Sequence, residues 1–426
     1  MVGVTYTRST SIKNWYKSKI LPIIRAHADD LKKSLPPSPT LSGTLSGASL
    51  PPSPAVYTAS FPPTVPVSST PPAIEERLSY LKDDEICDIL FLERGGLEKK
   101  YDWIKEYGKL CDFTAFYSLF VKELKSGGGL SGGKIGGIIG SKSSGKSGIK
   151  SWYKMERKAF IIKFSGEELD RLMAVEGKKA DDYAKNFSEF GRLYKAACRR
   201  LEELNEKIKK VFAYDYIPGD IRGGLVRKMD VSVCPYCNRQ YIQPFDDGRS
   251  RYLGDLDHLY LKDIYQLFSM SLWNLMPCCK PCNQIFKWTS TKKILFPTIR
   301  GFNDSCILTL DYENTEASAG RNMKFNLEWK IQPGQPRDIE ERIRNNIEMF
   351  RLNEIYQYHK EDIKEILWKR FNISGAYGRY LSRLLTKGLV MSEEEQNRIL
   401  YGTSLSEENF GKELLAKMTY DVVKHN

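Results

Sequence analysis

Two short cysteine pairs constrain this chain more than any other feature. Cys234-Pro-Tyr-Cys237 and Cys279-Lys-Pro-Cys282 are CxxC pairs with 41 residues between them. That spacing can bring four thiolates around one tetrahedral ion, as in a closed structural zinc site. Cys278 adjoins the second pair and offers an alternative ligand, but only Cys279 has the CxxC spacing to Cys282. These five cysteines fall within 49 residues, whereas Cys87, Cys111, Cys198 and Cys306 are scattered. Crowding of this kind reads as a metal site in a reducing compartment, not as a disulfide framework. Structural Zn²⁺ on Cys234, Cys237, Cys279 and Cys282 would staple a hairpin to a helix in a module too small to hold itself together.

Between the pairs lie Asp257-His258 and Asn274, and Asn283 follows the last cysteine. The chain has four histidines, and one of them sits here beside an acid at the end of an expected strand. A hard divalent cation prefers oxygen donors, which a carboxylate and an amide supply while leaving positions for water and phosphate. An imidazole next to it has the near-neutral pKa that a general base needs. Asn274 and Asn283 are nine residues apart, so they occupy different faces of a helix or either side of a break and are expected to do different jobs.

The segments CPYCNRQYI, DLDHLY and SLWNLMPCCKPCNQIFK together resemble the HNH endonucleases, the zinc-stapled branch of the ββα-metal nucleases. Within them the chain looks most like the bacterial antiphage-defence nucleases of the Septu and retron-associated type. The resemblance implies that His258 is the general base and that Asp257 and Asn283 hold one catalytic Mg²⁺ or Mn²⁺. It implies that Asn274 orients the His258 ring and ties the loop to the helix, and that Lys287 touches a phosphate. Asn283 stands where the family often has histidine, and the proline usual near Leu261 is missing. The implied partners are DNA and a separate ATPase subunit. A further helical resemblance runs through FRLNEIYQYHKEDIKEIL to KELLAKMTYDVVK.

The rest of the chain frames this core. Residues 1–33 read as an N-terminal helix and 34–74 as a linker with no charged residue and 11 of the 20 prolines, a composition that forms no core. Residues 75–125 read as helical, with Leu97, Tyr101, Ile104, Tyr107 and Cys111 on one stripe. Residues 126–150 are a Gly/Ser-rich loop, and 151–227 a helical region with one long stripe from Tyr183 to Phe212. The nuclease-like domain covers 228–300, with a hairpin turn expected at Asp246-Asp247-Gly248. A β-hairpin extension covers 301–335 and a helical region 336–426, with capping boxes at Ser165–Glu168 and Ser392–Glu395. The expected class is α+β, mostly helical arms around a small zinc-bound ββα core, the arms serving for partner docking or DNA clamping.

Composition sets outer limits. Sixty-five Lys and Arg against 53 Asp and Glu leave a net charge of +12, which suits a polyanionic partner. No apolar run is long enough to span a bilayer, and the first residues lack a secretory pattern, so a cytoplasmic protein with no membrane partner is expected. Gly140–Ser147 matches the P-loop expression, but no buried strand precedes it and no apolar helix follows, so an accidental match in a Gly/Ser/Lys tract is expected. The competing functional reading is a non-catalytic zinc module that binds nucleic acid or a partner.

Overall fold

The computed structural model describes residues 1–3, 9–35, 72–126, 197–245, 251–373, 380 and 392–426. The prolines of the linker up to Pro71, the Gly/Ser-rich tract with its P-loop match, the Ser165–Glu168 capping box, the first half of the long stripe and the turn at Asp246–Gly248 lie outside the described residues.

The described residues are helix-rich with three small antiparallel two-stranded sheets, consistent with an α+β class. Helix α1 (Thr10–Ser34) starts at Ser9, whose side chain accepts from the Ile12 amide. It buries Ile12, Tyr16, Ile20, Ile24, Ala28 and Leu31 at spacings of three and four, one continuous apolar stripe. Four helices follow: α2 (Pro72–Ser79), α3 (Asp83–Phe91), α4 (Arg94–Lys100) and α5 (Asp102–Ser126). The single stripe expected from Leu97 to Cys111 is therefore divided between α4 and α5. Tyr101 is extended at φ −132° and closes α4, while Arg94 binds Asp112 with both guanidinium arms at 2.7 and 2.6 Å and keeps the two helices in register.

Helix α6 covers 197–209, and the part of the long stripe described there is buried at Ala197, Leu201 and Ile208. Helix α7 (Gly219–Met229) packs on α1. Short strands β1 (Pro244–Phe245) and β2 (Arg251–Tyr252) pair antiparallel, as the expected turn between them requires. At the centre, β3 (Asp255–His258) pairs with β4 (Leu275–Cys278), placing Asp257 opposite Met276 and His258 opposite Leu275. A π-helix, Pro281–Lys287, follows at once, a winding that is rare and recurs at functional sites.

The last hairpin, β5 (Cys306–Tyr312) and β6 (Phe325–Ile331), falls where the sequence placed it. β6 alternates buried Phe325, Leu327 and Trp329 with exposed Asn326, Glu328 and Lys330, so one face is core and the other is wet. Helices α8 (Arg337–Met349), α9 (Leu352–Tyr356), α10 (Lys360–Ile373), α11 (Glu393–Tyr401) and α12 (Ala416–His425) follow among the described residues. The Ser392–Glu395 capping box opens α11, with both reciprocal bonds made. One hydrophobic cluster runs through the described elements from α1 to α12, with the β3–β4 hairpin inside it. Among the described residues no helix is long and apolar enough to cross a membrane.

Candidate metal centre and cleft

The four cysteines of the two CxxC pairs come together. Cys234, Cys237, Cys279 and Cys282 are all buried, and their sulfurs lie within 4.8 Å of one another. The Cys237 and Cys279 sulfurs are 3.9 Å apart, against about 3.8 Å around a tetrahedral ion with bonds of about 2.3 Å to sulfur. Hydrogen bonds among the sulfurs, then burial, push the Cys282 thiol well up. Four thiolates packed this closely coexist around a cation and not otherwise, so the donor set fits Zn²⁺. Cys278 is not a member. It lies on β4 opposite Asp255, and burial holds its thiol proton.

Local backbone explains the first knuckle. Val233 bridges Tyr241, and the Cys234 amide donates to the Gln240 carbonyl at 2.9 Å. Asn238 takes the tight left-handed conformation (φ 53°) that lets the chain reverse. Its fully buried side chain donates to the Phe410 and Glu413 carbonyls at 2.7 and 3.2 Å and accepts from the Lys417 amide. Tyr356 donates its hydroxyl to the Cys237 carbonyl, and the Val2 amide donates to the Pro235 carbonyl. Three remote segments thus clasp one short turn.

Beside the cysteines, a cleft of about 370 Å³ is lined by Asp255, Asp257, His258, Asn283, Gln284 and Trp288, with Tyr214, Arg222, Tyr252 and Lys262 among its other walls. His258, Asp257 and Asn283 therefore share one cavity. His258 is 8% exposed. Its Nε2 lies 2.9 Å from the Ser269 carbonyl, which accepts only, so Nε2 carries the proton and Nδ1 is the open acceptor. The Tyr214 ring meets the imidazole edge-on at 4.8 Å. Burial lowers the His258 pKa to about 4, against the opposing pulls of the Ser269 carbonyl and Asp257.

Asp257 is 4% exposed, and both of its oxygens are engaged. Tyr236, held as a phenol by its burial, donates to one at 2.7 Å, and the Lys287 ammonium donates to the other at 2.7 Å. Lys287, expected to touch a phosphate, is 2% exposed and also donates to the His258 carbonyl at 2.6 Å. Asn283 sits within the π-helix and donates to Asp255 at 3.1 Å, joined there by Gln284 at 2.9 Å. A carboxylate two residues before Asp257 points to the same side of a strand, a period-two signal that makes Asp255 readable in hindsight.

Asn274, expected to orient the His258 ring and tie the loop to the helix, is fully buried. Its side chain accepts from the Tyr260 amide at 2.7 Å and donates to the Tyr260 and Phe268 carbonyls. This clasps the loop between His258 and β4. The described bond to the imidazole comes from Ser269 instead. That loop is seated by the helices: Tyr16 on α1 donates to the Met270 carbonyl, Ser271 donates to the Ile89 carbonyl at the end of α3, and Asn205 on α6 donates to the Asp263 carbonyl. The helical regions, expected as arms for docking or clamping, build the seat of His258. Compared with family models, with curated proteins and with solved structures, the chain matches none.

Proposed function

We propose that this chain is a metal-dependent, zinc-stapled HNH endonuclease that hydrolyses DNA phosphodiester bonds as the effector of an antiphage defence system, working beside a separate ATPase subunit. The supporting observation is the one cleft shared by His258, Asp257 and Asn283, on a strand–strand–helix succession whose helix begins at the second cysteine pair. In this reading Nδ1 of His258, the nitrogen left open by the Ser269 carbonyl, takes a proton from the attacking water. Asp257 and Asn283 supply the oxygen donors for Mg²⁺ or Mn²⁺, which when bound would offset charge on the scissile phosphate. Freeing the Asp257 carboxylate requires Lys287 to leave it, and the released ammonium is then available to a phosphate. The net charge of +12 favours the approach of nucleic acid.

A second reading is favoured by the same carboxylate. With Tyr236 and Lys287 on its two oxygens and His258 nearly sealed, the cleft also suits a zinc module that binds nucleic acid or a partner without chemistry. Plasmid nicking by the purified chain in Mg²⁺ or Mn²⁺, beside an EDTA control and the His258→Ala protein, separates the two. Cutting lost in both controls is the expected result. A folded, zinc-loaded protein that cuts neither alone nor with its co-purified neighbours would favour the inert module.

A further inference from the structure

The cleft carries a feature that phosphodiester chemistry does not use. Trp288, directly after the π-helix, is 67% exposed at its rim. The residue holds φ 44° and ψ −126°, a region that L side chains rarely adopt and that costs on the order of 1–3 kcal/mol. Its amide donates to the Asn283 carbonyl at 2.9 Å, so the strained turn is anchored to a residue of the cleft lining. A large aromatic side chain is thus held in water, on strained backbone, beside a cavity. Burial does not explain the position, since a glycine would adopt this backbone without strain.

The walls around it combine aromatic rings with charged groups of both signs. Tyr214 and Tyr252 add two more rings, and two cations lie over the Tyr214 face, Arg222 at 5.2 Å and Lys262 at 5.7 Å. Asp255, Asp257 and Asp263 share the lining with these rings and cations. A cavity of about 370 Å³ is at the small end for a ligand site, with room for one nucleotide drawn out of its stack and not for a stacked base pair. Ring faces beside guanidinium and ammonium groups are the composition that grips single strands, through base stacking and backbone charge.

Resting on the reading of this cleft as the phosphodiester site, we propose that it takes single-stranded DNA, with an unpaired base stacked on Trp288 and the flanking phosphates held by Arg222 and Lys262. The test is fluorescence anisotropy of the full chain, with Ca²⁺ in place of the catalytic cation, against a labelled single-stranded oligonucleotide and the blunt duplex of the same sequence. The single strand is expected to bind at least about tenfold tighter than the duplex. Trp288→Ala should weaken it by about 5- to 100-fold, the range of one base stacked on one ring, and Trp288→Phe should keep most of the affinity. Trp288→Gly should lose binding while its melting temperature holds or rises, because the strained turn relaxes.

Duplex bound as tightly as single strand, or Trp288→Ala binding like the parent protein, would overturn the proposal. The binding arm needs no cutting, so the two readings fail separately. Binding that depends on Trp288 in a protein that cuts neither plasmid nor single-stranded DNA in Mg²⁺ or Mn²⁺ removes the nuclease and leaves the strand site. Nicking with no effect of Trp288→Ala does the reverse.

Discussion

Around the first cysteine pair, polar groups are matched by distant partners. Asn238 spends both ends of its amide on residues 410–417, Tyr356 reaches the Cys237 carbonyl and Val2 the Pro235 carbonyl. In the cleft, the groups are matched by partners that a ligand would have to replace. Asp257 is held by Lys287, Asp255 by two side-chain amides, and Trp288 stands in water on strained backbone. The first region is arranged to stay as it is and the second to exchange one set of contacts for another. The clasps on the first turn reach 119 to 233 residues along the chain, whereas those on the cleft carboxylates span about 30.

The largest effect that would break this contrast is at the cysteines. Cys237→Ser should prevent stable folding, because structural zinc contributes an apparent 10–16 kcal/mol or so in small zinc domains at neutral pH. Circular dichroism and bound-metal analysis read this directly, and a folded, zinc-free variant would remove the staple from the argument. Next comes the buried pair. Lys287→Met leaves Asp257 charged, buried and short of its cation, at a cost of about 3–5 kcal/mol, measurable by denaturant unfolding. Little loss would mean that Asp257 and Lys287 are already loosely paired.

The smallest expected effect is a pH dependence. His258 is held neutral to about pH 4 in the fold, whereas in the unfolded chain it titrates near the ordinary value of about 6.5. Between those values the unfolded state binds the extra proton, so stability should fall as pH drops from about 6.5 to about 4 and level off below. His258→Gln should flatten that part of the profile. An unchanged slope would place the imidazole in a wetter setting than its 8% exposure implies.

Much of this was legible in the residues themselves. The two CxxC pairs named the four sulfurs because spacing alone limits which cysteines can converge. The sequence placed the β5–β6 hairpin within 301–335, and the Ser392–Glu395 box was readable from its capping residues. What was not legible depended on contacts over long separations. Nothing local in Lys287 says that its ammonium turns inward to Asp257, thirty residues back. Ser269 carries no motif, yet its carbonyl fixes the proton on His258. The break at Tyr101 was hidden because α4 and α5 continue one apolar spacing across an extended residue. Asn274 was read as orienting the imidazole and tying the loop to the helix, and no local signal says that its amide bonds go to Tyr260 and Phe268.

The clasp on Asn238 also sets a timetable. Its amide waits for the Glu413 carbonyl, 175 positions further along. At roughly 5–20 residues per second of synthesis, that is on the order of ten to thirty seconds on the ribosome. Throughout that interval the first cysteine pair exists without the last of its clasps, its thiols open to zinc, to oxidant or to one another. Whichever arrives first decides whether the finished chain has a centre to close around.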